Sequence, residues 1–181
     1  MIKYKLTDQD GYTRRGEENE TLWEVGQTIS ARGDGIVLCT DGLIHFYDSP
    51  EMAIVMNPIH ADIPNPVLWE IEIDAVIAHD GTKGGCKSAT ALRTVAVPNI
   101  TTNQRIRFAI MCALEFYHDA QYVAWANGWL CGHDRSADAA GAAETAARAA
   151  DAAGAADAAG AAGDKIDLPS ILLRAMREEG V

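Results

Sequence analysis

The chain has 181 residues, 26 acidic against 15 basic side chains and a formal net charge of −11, enough length for one domain with a proper core plus an appendage. That balance counts against a nucleic-acid backbone or an anionic membrane as the main partner, since either calls for clustered Lys and Arg. No run of about 18 apolar residues and no signal-peptide pattern occurs, so a cytoplasmic protein is expected. The four cysteines (Cys39, Cys86, Cys112 and Cys131) are widely spaced, with no close pair and no ligand spacing to the five histidines. They read as reduced, mostly buried thiols, and no metal is expected.

Ile2, Tyr4 and Leu6 alternate with Lys3, Lys5 and Thr7, the period of a half-buried first strand. Asp8 to Gly11 is a turn, and Tyr12-Thr13 begins a returning strand. Arg14, Arg15 and Gly16 follow, two cations beside a flexible residue. In an acidic protein such a pair suits a phosphate or carboxylate, and equally a solvated surface. Leu22, Trp23 and Val25 form a short apolar anchor, and Gly33-Asp34-Gly35 is a loop.

The stretch from Val37 to Pro58 organises the rest, and the segments before it read as strands that pair with it. Asp41-Gly42 is a turn, Leu43 to Tyr47 a short strand, and Asp48 or Ser49 the cap of a helix starting at Pro50. Asn57-Pro58 reads as that helix's end. Leu68 to Val76 alternates, with Leu68, Glu70 and Glu72 facing one way and Trp69, Ile71 and Ile73 the other. Asp80-Gly81 and Gly84-Gly85 bracket an expected exposed loop, and Ala91 to Val97 is another strand. Thr101 and Gln104 form a capping-box pattern for a helix running through His118. Asp119 caps a second helix, whose aromatic residues Tyr122, Trp125 and Trp129 suit packing between helices.

From Ser136 to Gly163, 17 of 28 residues are alanine, and after Arg148 one residue in three is not. Alanine favours helix while the four glycines oppose it at roughly 1 kcal/mol each. The segment is read as a helix or helical hairpin able to assemble a homo-oligomer through its small residues, with disorder as the alternative. Asp167 caps a last amphipathic helix carrying Leu168, Ile171, Leu172, Ala175 and Met176 on one stripe. The expected organisation is an α+β body over 1–100, covering helices over 101–132, the alanine-rich segment over 133–164 and the last helix over 165–181.

The block from Lys5 to Asp74 resembles small ADP-ribosyltransferase-like domains, the group that includes the tRNA 2′-phosphotransferases. The residues carrying the likeness are Tyr4 to Thr7, then Asp41 to Phe46 with Ser49 to Ala53, then Leu68 to Ile73. The resemblance implies a split antiparallel sheet whose cleft binds NAD or an ADP-ribose derivative. It implies Lys5, Arg14 and Arg15 as anion contacts, although the family's first strand carries His or Arg where this chain has Lys5. It places His45 in the cleft lining and makes Glu70 or Glu72 the carboxylate beside the ribose. The chain also resembles bacteriophage proteins, which implies an accessory protein in the host cytoplasm acting against host defence. The expectation is a binder of a nucleotide-derived ligand, with an active ADP-ribosyl or phosphoryl-group transferase and an interaction protein assembled through the alanine-rich helix as alternatives.

Overall fold

The computed structural model describes residues 1–133 and 166–177. The chain divides into two compact units, Met1–Asn99 and Ile100–Val181. The expected alanine-rich helix and the oligomer built on it fall outside the described residues. Among the described residues, no helix is long and apolar enough to cross a membrane.

The first unit is α+β, with antiparallel sheets. Its strands are β1 (Ile2–Thr7), β2 (Tyr12–Thr13), β3 (Thr21–Leu22), β4 (Thr28–Ser30), β5 (Ile44–Phe46), β6 (Val67–Ile73), β7 (Ala78–His79), β8 (Gly84–Cys86) and β9 (Ser88–Val95). A four-stranded sheet has the order β1-β6-β9-β4, a three-stranded one the order β5-β8-β7, and β2-β3 form a hairpin. The pairing around the central stretch differs from the expectation. β1 pairs with β6 along its whole length, and β5 pairs with β8. Backbone pairing of the first strand with the central stretch is limited, among the described residues, to the bridge between Tyr4 and Tyr47, whose backbones exchange both bonds at 2.9 and 2.8 Å. A three-residue strand offers too few groups to hold two full ladders.

Residues opposite one another in an antiparallel pair share a face. Lys5 lies opposite Trp69 and Lys3 opposite Ile71, so both lysines stand on the side of the sheet that carries Trp69, Ile71 and Ile73. That side holds the core, where Trp23, Phe46, Trp69, Ile71, Cys86 and Ala91 pack together between the two sheets. The Trp69 indole N–H donates to the Thr7 hydroxyl at 2.9 Å, and Thr7 has no exposed surface. Tyr4 and Ile2, opposite Glu70 and Glu72, stand on the other side. The alternation of β1 is real, but the lysine side is the one that faces the second sheet.

Two glycines let side chains of β5 and the turn before it lie over β8. A Cβ on Gly84 would stand 2.2 Å from the Phe46 ring, and one on Gly85 would stand 2.7 Å from Leu43. Gly84-Gly85 is therefore the buried middle of β8, not the edge of an exposed loop. Lys87 then fastens the segment between β4 and β5, its Nζ donating to the carbonyls of Gly33, Gly35 and Gly42 at 3.2, 2.7 and 2.8 Å.

Helix α1 (Pro50–His60) starts as its sequence dictates. Ser49 accepts from the Met52 N–H at 3.1 Å, Pro50 needs no partner in the first turn, and Glu51 suits the dipole. Asp48 does not cap; it binds Lys3 and His79. The helix runs past Asn57-Pro58 to His60, because a proline in the last turn removes a single N–H. The true end is set by Asn57, whose carbonyl accepts from Ala61 and Asp62 and whose side chain exchanges two bonds with Ile63. The last strand, β9, starts and ends earlier than expected, at Ser88 and Val95.

In the second unit, α2 (Thr102–Leu114) carries the capping box between Thr101 and Gln104, and α3 (Ala120–Leu130) starts on Asp119. Helix α2 stops at Leu114 rather than at His118. Ile110, Ala113, Ala126 and Trp129 form the buried cluster between them, with Tyr122 and Trp125 packed against it. Helix α4 (Leu168–Arg177) starts where Asp167 accepts from the Ser170 N–H at 3.1 Å, and it packs on α2. Of the cysteines, Cys86 and Cys112 are buried while Cys39 and Cys131 are exposed, so burial covers half of them.

Candidate functional site

The site is built on β1 and β5 where the two sheets part. Two adjoining depressions, about 420 and 370 Å³ in volume, share Lys5, Thr13, Arg14 and His45 in their walls. The larger extends over Trp23, Ser30, Arg32 and Thr40, with Glu20 and Asp41 as its carboxylates. The smaller extends over Cys39, Tyr47, His60 and Lys83, with Glu17 as its one carboxylate. Its charged lining is three cations against one anion, in a chain that is strongly acidic overall.

Lys5 is the shared floor. Its Nζ donates to the His45 carbonyl at 2.8 Å and lies 5.2 Å over the Trp23 ring. Among the described residues, no carboxylate stands within ion-pair distance of it. Burial lowers its pKa to about 8; Cys86 opposes the fall, and the nearby Arg14 charge adds a smaller contribution to it. Lys3, two residues earlier on the same face, supplies the contrast: it is neutralised by Asp48. The Asp48 carboxyl is held at about 2, chiefly by the hydrogen bond from His79 and also by Lys3.

His45 accepts from the Cys39 N–H at Nε2, at 2.9 Å, which puts the proton of the neutral ring on Nδ1. Burial first, then the charges of Lys5, Lys83 and Arg14, hold its pKa near 4, so the ring is uncharged at neutral pH. The His60 ring stacks on Tyr47 with centroids 5.9 Å apart and 14° between planes. Its Nδ1 meets the Tyr47 hydroxyl at 3.3 Å, and burial keeps it near 4 as well. The imidazoles are therefore neutral hydrogen-bonding groups, and the positive charge comes from Lys5, Arg14 and Lys83.

Arg14 reaches the groove from the β2–β3 hairpin. Its backbone is left-handed, at φ 53°, a conformation that costs a non-glycine residue free energy and that turns the loop at that point. Three anchors hold the hairpin. Arg15 binds Asp8 and Asp10 at 2.7 Å each and covers the Tyr12 ring. Gly16 N–H donates to the Glu20 carboxylate at 2.6 Å. Arg32 donates to the carbonyls of Glu18 and Glu20 at 2.5 and 3.0 Å.

Of the residues singled out from sequence, the structure brings Lys5, Arg14 and His45 together. Arg15 is spent on its two aspartates and does not line the groove. Glu70 and Glu72 lie on the side of β6 away from Lys5. Glu70 receives both Arg93 bonds, at 3.2 and 2.9 Å, across a bulge that sets Arg93 opposite it. Tyr47, His60, Lys83 and Trp23 were not anticipated as lining. His60 ends α1 while Trp23, Tyr47 and Lys83 lie just outside strands, and no spacing along the chain links the four. The lysine at alternate positions of β1 was the one available signal. No protein-family model, curated protein or solved structure matches the chain.

Proposed function

We propose that the groove over Lys5 captures a nucleotide-derived anion of the ADP-ribose or NAD type, in the host cytoplasm that the bacteriophage resemblance implies. The observation that carries this is the Lys5 ammonium, half-buried in the wall of both depressions with no carboxylate partner among the described residues, next to Arg14 and Lys83. A cation withdrawn from water without a counter-ion is costly, and a phosphate would offset that cost. The Tyr47–His60 ring pair and the Trp23 ring give the remainder of such a ligand apolar surface. The reading is of binding, because the strand carboxylates that a ribosyl transfer needs stand on the far side of β6.

Calorimetric titration of the full chain with ADP-ribose, NAD, ADP and inorganic pyrophosphate tests it. At least one should bind, and Lys5→Met or Arg14→Ala should weaken that binding at least about tenfold, the worth of one charge-assisted hydrogen bond. Heat from none of the four, or an affinity untouched by both substitutions, overturns the reading.

A further inference from the structure

We infer that Lys5 is a reactive amine, positioned so that its Nζ condenses with the aldehyde carbon of a phosphate-bearing ligand held in the groove. The inference rests on the anion-binding reading above and adds a covalent step to it. The other described lysines are already engaged. Lys3 is bound to Asp48, Lys83 stands 4.0 Å from Asp80, and Lys87 is enclosed by three carbonyls. Lys165 lies outside the described residues. Lys5 has one carbonyl and one aromatic face as neighbours, and it opens on both depressions.

The surroundings divide the work. Arg14 and Lys83 line the smaller depression together with Lys5 and supply charge for a phosphate, which leaves the Lys5 amine free to lose its own. The groups that face Lys5 are Arg14 from the hairpin, the His45 carbonyl from β5 and Cys86 from β8; burial is the largest cause of its pKa falling to about 8, with Cys86 opposing the fall and Arg14 adding to it. At neutral pH the uncharged fraction is then a few hundred times that of an ordinary lysine, about 2.5 pKa units away. In the step itself the Nζ lone pair attacks the aldehyde carbon and a C–N bond forms. The carbonyl oxygen takes both amine protons and leaves as water, and a C=N bond remains. The ligand class that satisfies charge and chemistry together is a phosphorylated sugar with a free anomeric carbon, which ADP-ribose has and NAD lacks.

Brief exposure of the full chain to pyridoxal 5′-phosphate, reduction with borohydride and peptide mapping reads the step directly. Lys5 should be labelled at least about tenfold faster than Lys3, Lys83 and Lys87, more slowly in the presence of inorganic pyrophosphate, and faster as pH rises through 8. Lys5→Arg should abolish that adduct while Lys3, Lys83 and Lys87 are labelled at the rates of the parent chain. Uniform labelling, or none at Lys5, in a chain that binds pyrophosphate overturns the reactive amine and leaves the anion site standing. If pyrophosphate does not bind and Lys5 is not labelled, both readings fall.

Discussion

His45 and His60 each sit near pKa 4 against an ordinary value of 6.5, and burial is the main cause in both. Between those pH values the unfolded chain takes up protons that the folded chain refuses, so stability falls as pH drops from about 6.5 towards 4. Asp48, held at about 2 against 3.8, stabilises the fold above pH 3.8 and loses that contribution only as pH falls further. The first part of an acid transition therefore belongs to the imidazoles. Urea unfolding followed from pH 7 to 4 should show a falling midpoint, and His45→Gln with His60→Gln should flatten it. A slope unchanged in the double variant would mean the rings are not withheld from protonation. Thr7 offers a second test. Thr7→Val keeps the shape but leaves the Trp69 N–H buried and unpaired, a cost of about 1–3 kcal/mol in urea unfolding. A change well below that range would show that the bond carries little.

At the scale of elements, the β2–β3 hairpin decides whether Arg14 reaches the groove. Arg32, which lies just past β4, holds two carbonyls of its loop. Arg32→Ala should free that loop while leaving the sheets intact. Limited trypsin digestion should then cut after Arg14 and Arg15 several-fold faster than in the parent chain, and equal rates would assign the loop's order to Arg15 and the Gly16–Glu20 bond. The elements that could be read from sequence are those fixed by neighbours a few residues away. Ser49 and Pro50 start α1, Thr101 with Gln104 starts α2, and Asp167 starts α4. The strands β4, β7 and β8 could not be read, because two or three residues carry no period, and β4 and β8 also pair with distant partners in β9 and β5. Pro58 misled for the opposite reason: a strong local breaker loses its force in a final turn closed by Asn57. At the site, Lys5 and His45 were legible from strand position and Arg14 from charge. The carboxylates were not, since alternation puts Glu70 and Glu72 on a common face without saying which face meets the groove.

Over the whole first unit, one side of the main sheet carries two lysines into the gap between sheets, and charge is treated differently at each. Lys3 is closed off by Asp48 and His79, while Lys5, one turn of the pleat further on, is left to the groove. An acidic chain thus keeps a small basic recess, and anion affinity measured there should be modest in salt dependence because only about three cations contribute. Beside the groove, Phe46 and Leu43 lie flat over β8 because Gly84 and Gly85 carry no side chains there. Gly84→Ala would push a methyl into the Phe46 ring and should cost about 1–3 kcal/mol or more in urea unfolding. Wild-type stability in that variant would count against the close approach. In a saturation library selected for folded protein, positions 84 and 85 should accordingly return a two-letter blank: glycine kept at both, with variation resuming at Lys83 on one flank and Ser88 on the other.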